Sequence, residues 1–361
     1  MKKVLIFNKL KSQINFQDII HKTLDEPMHP YMGLKWTNNL VNLGLNVDYL
    51  NNYLISKYKV VNFLHKYIFL PKKFSTLVVY STNGLGIVTL LRLFNWDVNI
   101  VFFSLSKINP DGNLFKVLIR RILFITDNIF SNHIVTGLKE LNGNISKFKN
   151  FTYFPFYTDV NYFNDKIKNA KNNIEYDKEF ILIVGDITRD DFFVYEELSD
   201  IAIPIIRITR DKNVITNLST IINKERGDMI LSGISFEQLA MFYKNSKLCI
   251  VASKFDHWQP GGITSIVEAL ACEGICVCNS GGEIEKEFKQ LCTDSNCIDP
   301  LFYFEYPKKK SLKNIVLKLL NSSKIELYEM KLNSQKFSSL VLNLSTNGVS
   351  KLDELINNYF I

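Results

Sequence analysis

Apolar residues come in short runs along this chain, separated by longer stretches in which they recur every third or fourth position. The short runs predict buried strands, and the longer stretches predict amphipathic helices. In the first half, Lys3–Phe7, Asn46–Leu50, Thr76–Tyr80, Val98–Phe103, Asn128–Phe130 and Phe151–Phe154 read as strands. Gly33–Leu43, the segment from Gly86 to Leu93, and Leu114–Thr126 read as helices. A polar run from Asn164 to Lys178 then breaks the pattern, as a linker with a solvated helical turn would. Beyond it Phe180–Gly185, Ile203–Ile208, Met229–Ser232, Leu248–Ala252 and Ile275–Asn279 predict strands. Ser235-Phe-Glu-Gln238 is a capping box that opens a helix to Tyr243. Helices are expected at Ile263–Cys272, Glu283–Gln290, Leu312–Leu320 and Leu352–Tyr359.

Strands that alternate with helices indicate parallel sheets covered on both faces, so the predicted class is α/β with two doubly wound Rossmann-like domains facing across a cleft. The expected division is a first domain over 1–163, a linker over 164–178, a second domain over 179–340, and a C-terminal helix over 341–361 returning to the first domain. A chain of 361 residues can build two cores, and 47% apolar with 22% charged residues is the balance of a globular protein. No apolar run has bilayer length, and Met1-Lys2-Lys3 leads directly into Val4–Phe7 without a signal peptide, so a cytoplasmic protein is expected. The six cysteines form no CxxC pair and read as small buried residues in a reducing compartment.

The formal charge of +7 adds one further consideration, because it concentrates beside apolar residues in Lys57–Lys73 and Phe115–Phe124. Each is either an amphipathic helix with a solvated basic face or a peripheral contact with an anionic membrane surface or lipid phosphate. No nucleic-acid-binding motif is present, so no nucleic acid partner is expected.

The most specific stretch is Gln259-Pro-Gly-Gly-Ile-Thr-Ser-Ile-Val-Glu268, followed by Ala-Leu-Ala-Cys and, after a strand, by Gly281-Gly282. It predicts a glycine turn, a helix, a buried strand and a second glycine turn. Gly261 and Gly262 at a helix start let a ligand approach the backbone, where the N–H groups of Ile263 and Thr264 and the partial positive charge of the helix suit a diphosphate. The Thr264 hydroxyl adds a donor. Glu268 lies about two turns in, where a carboxylate accepts ribose hydroxyls. Its neighbours Ile266, Val267, Ala269 and Leu270 are apolar, so it needs a partner.

These residues, in their order, resemble GT-B glycosyltransferases, most closely family 4. Gly185 falls where the family ends the first strand of its second domain in glycine. Leu231-Ser-Gly233 and the helix after it resemble the family's strand–Gly–helix segment. Cys249-Ile-Val-Ala-Ser253 resembles the strand before the donor loop, and Gly261–Gly282 resembles the donor-binding core. Phe154-Pro-Phe-Tyr-Thr-Asp159-Val-Asn-Tyr-Phe163 is similar to the interdomain signature, with Asp127–Ser131 as the strand before it.

The resemblance implies a retaining transferase that moves a sugar from a nucleotide-diphosphate donor to a glycan or lipid-linked saccharide acceptor, in cell-envelope polysaccharide or glycoconjugate synthesis. Glu268 matches the second of the family's two glutamates. Pro260 stands where the first would fall at strict spacing, and Asp256 or the inserted His257-Trp258-Gln259 takes its place. Arg189 is the first choice for a diphosphate clamp, then Arg207 and Arg210, because guanidinium pairs bidentately with phosphate. Gly33, Asn83 and Ser104 fall on the acceptor side, Ser104 near where many members carry a histidine. No Asp-x-Asp motif stands in a metal-holding place, so neither metal nor cofactor is expected. Two other readings remain: a non-catalytic sugar-nucleotide-binding subunit, and a GT-B sugar epimerase.

Overall fold

The computed structural model describes residues 3–7, 46–49, 68–80, 86–95, 97–104, 113–136, 151–169, 179–185, 190, 192–209, 222–254, 262–348, 351 and 354. The chain forms two compact units, one of Met1–Pro155 with Gly348–Ile361 and one of Phe156–Asn347. The expected helices at Gly33–Leu43 and Leu352–Tyr359 lie outside the described residues, except for Glu354 in the latter.

The first unit holds a six-stranded parallel sheet: β1 (Lys3–Phe7), β2 (Asn46–Tyr49), β3 (Thr76–Tyr80), β4 (Asn99–Ser104), β5 (His133–Thr136) and β6 (Phe151–Tyr153). The strands lie in the order β2-β1-β3-β4-β5-β6. β3, β4 and β5 are buried and apolar through their middles, as strands covered on both faces must be. Leu77 and Val79 of β3 and Ile100 and Phe102 of β4 meet Val88 and Leu91 of helix α1 (Ile87–Phe94). Helix α2 (Leu114–Phe130) packs beside α1. It corrects the expected strand at Asn128–Phe130: the helix continues through these residues, and the strand is β5. The continuation is stable because the buried Asp127 and Asn128 find partners, with Asn128 Nδ2 donating to the Phe124 carbonyl at 2.6 Å.

The second unit holds β7 (Ile181–Val184), β8 (Ile205–Ile208), β9 (Met229–Leu231), β10 (Leu248–Val251), β11 (Cys276–Asn279) and β12 (Leu301–Phe304). All are parallel, in the order β12-β11-β10-β7-β8-β9, which is the doubly wound order of a dinucleotide-binding sheet. Side chains alternate between the two faces. Leu182, Cys249, Val251, Cys276 and Cys278 pack on one, and Ile181, Ile183, Leu248, Ile250 and Val277 on the other. The helices are α3 (Val160–Asn169), α4 (Phe193–Glu197), α5 (Phe236–Asn245), α6 (Ile263–Ala271), α7 (Glu283–Ser295), α8 (Ser311–Leu320) and α9 (Lys324–Phe337). The capping box at Ser235 and Gln238 is present, with both hydrogen bonds made. All six cysteines are free thiols, and only Cys297 has appreciable exposure. Burial pushes the Cys272 thiol well above its ordinary range.

The units divide at Pro155/Phe156 rather than after residue 163, because α3 packs on α5 and α6. The expected linker over 164–178 therefore begins inside a helix, and its remainder from 170 lies outside the described residues. A short parallel bridge closes the second unit: Thr158 N–H donates to the Leu342 carbonyl and Leu344 N–H to that of Thr158, each at 2.9 Å. Lys351 belongs to the first unit, with its ammonium 5.4 Å from the centre of the Tyr153 ring. β12, α4 and α9 are additional to the elements expected from the sequence.

His133 of β5 is fully buried, and its Nε2 lies 3.0 Å from the Thr152 hydroxyl. Burial lowers its pKa from 6.5 to about 4. Such a group contributes stability that is fully present above pH 6.5 and is lost as the pH falls toward about 4. The gap corresponds to on the order of 3 kcal/mol. Urea melts across this window should show the loss for the wild type, and His133→Gln should flatten it. An unchanged pH profile in the variant would contradict this account.

Candidate functional site

In the second sheet, strand order reverses between β7 and β10, which are neighbours with Ile181 opposite Leu248 and Ile183 opposite Ile250. The chain leaves them toward opposite faces. Phe193, Val194 and Tyr195 of α4, after β7, pack on one face, whereas Ile263, Ile266 and Val267 of α6, after β10, pack on the other. Diverging connections leave a crevice beyond the carboxyl ends of the two strands, the usual ligand position in such sheets.

The end of β10 is held firmly. Asn279, at the end of β11, accepts from the Ser253 N–H at 3.1 Å and donates to the Ser253 carbonyl at 2.6 Å. All of these groups are buried, so the departure of the chain into the loop before α6 is fixed by the neighbouring strand. Gly185, at the end of β7, has φ 130° and extends the ladder by donating to the Ile208 carbonyl at 2.9 Å. Gly262 carries φ 101°, which a side chain would strain, and directly precedes α6.

The start of α6 has no side-chain cap and no acidic residue in its first turn. Most other described helices meet this need internally, α8 after Lys310 being the exception. Ser235, Ser323 and Asn113 cap α5, α9 and α2. α7, after Gly281-Gly282, has Glu283 and Glu285 in its first turn, and the Glu285 carboxylate accepts from the Gly281 N–H. At α1, after the other sheet's β3, the buried Asp127 carboxylate accepts from the Gly86 N–H at 2.6 Å and from the Thr89 N–H and hydroxyl at 2.9 and 2.8 Å. Burial raises the Asp127 pKa, while these bonds oppose the shift. Among the described residues, no side chain caps the α6 terminus, and a helix start of this kind suits an anion.

Along α6, Thr264 and Glu268 are four residues apart and share a face, with about 5–6 Å between Cβ atoms at such spacing. Glu268 is 6% exposed and accepts from the Tyr243 hydroxyl of α5 at 3.0 Å. This is the partner that the apolar sequence around Glu268 demands. Burial, then the Glu268 charge, push the Tyr243 pKa well above its ordinary value, so the phenol remains a donor. The roles of Tyr243 and Asn279 were not anticipated from the sequence, whereas Ser253 was placed at the end of the strand before the loop. The signal for Tyr243 was an aromatic hydroxyl on the helix before β10, and no short-range pattern marks Asn279.

Of the expected donor-site residues, Gly185, Gly262, Ile263, Thr264 and Glu268 gather around the β7–β10 crevice and α6. Gly233 lies after β9, with φ 71° and open space around it. Arg207 belongs elsewhere than in a phosphate clamp: it is 1% exposed, pairs with Asp190 through contacts of 2.6 and 3.1 Å, and lies 5.3 Å from the Tyr195 ring centre. On the first unit, Ser104 ends β4, with its hydroxyl fully buried and without a hydrogen-bond partner among the described residues. Arg189, Arg210, Asp256, His257, Gln259, Gly261, Gly33 and Asn83 lie outside the described residues.

No protein-family model matches the chain, and no curated protein sequence matches it. Solved structures do. Anabaena HepE in complex with UDP superposes with a TM-score of 0.67 at 12% identity, over 99% of this chain and 100% of that one. The UDP-forming α,α-trehalose-phosphate synthase of Burkholderia vietnamiensis superposes with a TM-score of 0.66 at 9% identity, over 99% of both chains. The N-terminal domain of Candida albicans trehalose-6-phosphate phosphatase gives 0.63 at 11% identity, over 98% of this chain and 97% of that one. The fold is GT-B, with two Rossmann-like domains.

The Arg207–Asp190 pair generates a direct test. Arg207→Met leaves a buried carboxylate without its counter-charge and should cost about 3–5 kcal/mol in urea unfolding. Arg207→Met with Asp190→Asn should recover much of that loss. A variant of wild-type stability that loses nucleotide binding would return Arg207 to the ligand site.

Proposed function

We propose that this protein is a glycosyltransferase that binds a nucleotide-diphosphate sugar at the start of α6 and transfers the sugar to a hydroxyl acceptor. The observation that carries the reading is the uncapped, acid-free terminus of α6 at the strand-order reversal, with one buried carboxylate further along the same face. UDP is the favoured nucleotide, because HepE has solved structures with UDP and with UDP-glucose, and the trehalose-phosphate synthase is described as UDP-forming. As the bond to the sugar breaks, negative charge grows on the leaving diphosphate. The Ile263 and Thr264 N–H groups and the Thr264 hydroxyl stabilise that charge, with Arg189 as an added cation. Glu268 accepts the ribose hydroxyls. The acceptor oxygen attacks the anomeric carbon on the leaving-group face, its proton passes to the departing phosphate oxygen, and configuration is retained. No metal is required in this scheme. Membership of family 4 and a role in envelope glycan synthesis complete the reading.

Thermal or chemical melts with UDP test the donor site. At a hundred times its dissociation constant, UDP should add about 2.7 kcal/mol to stability. Glu268→Gln should weaken binding about tenfold or more, because it replaces charge-assisted hydrogen bonds with neutral ones. Unchanged binding in the variant would remove Glu268 from the site. UDP binding without turnover of UDP-sugars over an acceptor panel would favour the non-catalytic subunit.

The same reading extends to a lipid-linked acceptor at an anionic membrane surface on the cytoplasmic side. α2 supports it in an unexpected way. Its exposed face is apolar rather than basic: Phe115, Leu118, Ile122, Ile125 and Ile129 repeat at three- and four-residue spacing and are 45–69% exposed. Lys116 and Arg121 flank this stripe, and the helix's one acid, Asp127, is buried. An apolar face bordered by cations suits a leaflet of anionic lipid. Of the second basic segment, Lys57–Lys73, the described part from 68 onward includes the exposed Phe69, Lys72 and Lys73. In vesicle flotation the protein should float with anionic and not with neutral vesicles, and Leu118→Ser with Ile122→Ser and Ile125→Ser should abolish this. Equal behaviour with both lipids, or a dimer in sedimentation that the triple variant dissolves, would contradict a membrane role.

A further inference from the structure

The hydroxyl of Tyr243 is placed where it controls the carboxylate on which ribose recognition depends. Tyr243 is fully buried near the end of α5, and that helix is fixed at its start by the capping box at Ser235 and Gln238. Its backbone carbonyl is taken by the Ser246 hydroxyl at 2.9 Å, which secures the helix end. Its hydroxyl donates to Oε2 of Glu268 at 3.0 Å. One buried side chain on α5 therefore reaches the middle of α6. A tyrosine has two side-chain torsions, both locked here by packing, so the carboxylate is held in one rotamer. An ionised carboxylate offers about four lone-pair sites, so one bond from a phenol does not saturate it.

We infer that Tyr243 is a positioning residue for nucleotide recognition, holding Glu268 in the orientation that selects a ribose bearing both its 2′ and 3′ hydroxyls. The inference rests on the proposed role of Glu268 as the ribose acceptor and adds to it a residue that does not touch the ligand. Tyr243 acts as a donor to the carboxylate and takes no part in sugar transfer. Its burial, which keeps the phenol protonated, makes that donation constant across the neutral and mildly alkaline range.

Calorimetric titration with UDP and with 2′,3′-dideoxyuridine diphosphate separates this role from general stabilisation, because a purely structural residue would affect both ligands alike. The wild type should prefer UDP by about tenfold or more, the worth of charge-assisted hydrogen bonds. Tyr243→Phe should bring the two affinities within about threefold by weakening UDP and leaving the dideoxy ligand unchanged. Glu268→Gln should do the same, and adding Tyr243→Phe to Glu268→Gln should not reduce the preference further. That double variant contains no buried unpaired carboxylate, so it serves if Tyr243→Phe alone does not fold. A Tyr243→Phe protein that keeps the preference while Glu268→Gln loses it would overturn the positioning role alone. A further fall in the double variant would also overturn it. If Glu268→Gln keeps the preference, or the wild type binds no UDP, the underlying ribose reading fails.

Discussion

A partial positive charge that no described side chain caps, at the start of α6, is the feature around which the second unit is arranged. Apart from α8, which follows Lys310 at the far side of the sheet order, the other described helix starts are closed by side-chain caps, by their own glutamates, or by a buried aspartate from a neighbouring helix. α6 follows a glycine in the left-handed region with neither cap nor acid, and it does so at the reversal of strand order. Ser253 and Asn279 fix the chain just before it, and Tyr243 fixes the carboxylate along it. Three separate elements, β11, α5 and α6 itself, thus converge on one short stretch of backbone. Convergence of this kind preorganises a site and limits the reorganisation needed on binding.

The two sheets make an informative contrast. Each is parallel and each reverses its strand order once, between β1 and β3 in the first and between β7 and β10 in the second. In the first, the helix after β3 receives the Asp127 carboxylate at its N-terminus, and a nearby buried arginine, Arg92, is spent on the Phe130 and Val98 carbonyls. That closes the described anion position with an internal charge. In the second, no described side chain caps the equivalent helix start. Within one architecture, the placement of a single aspartate distinguishes the two helix starts.

Much of this was legible in the sequence, because the strongest signals are local. Continuous apolar strands, the capping box at Ser235 and the glycine turn before α6 need only neighbouring residues to be read. The donor stretch from Gly262 to Glu268 falls on the helix that the spacing predicts, and the apolar surroundings of Glu268 correctly demanded burial and a partner. The errors came where distant contacts decide. Ile129 and Phe130 look like a strand, but Asp127 is paid for by Gly86 and Thr89, some forty residues earlier, and the helix runs on. Arg207 looked like a phosphate ligand until Asp190 claimed it. The unit boundary moved because α3, polar on one side, packs its other side on α5 and α6. α9 escaped notice because Ile325, Tyr328 and Leu332 face solvent and blur its periodicity. Tyr243 and Asn279 are tertiary partners with no sequence spacing to announce them.

The most direct test of the central claim is a crystal structure of the protein with UDP. The account predicts the diphosphate oxygens within hydrogen-bonding distance of the Ile263 and Thr264 N–H groups, and the ribose hydroxyls on the Glu268 carboxylate, with the Tyr243 contact intact. A nucleotide seated at another helix start, or a diphosphate held away from α6, would contradict it.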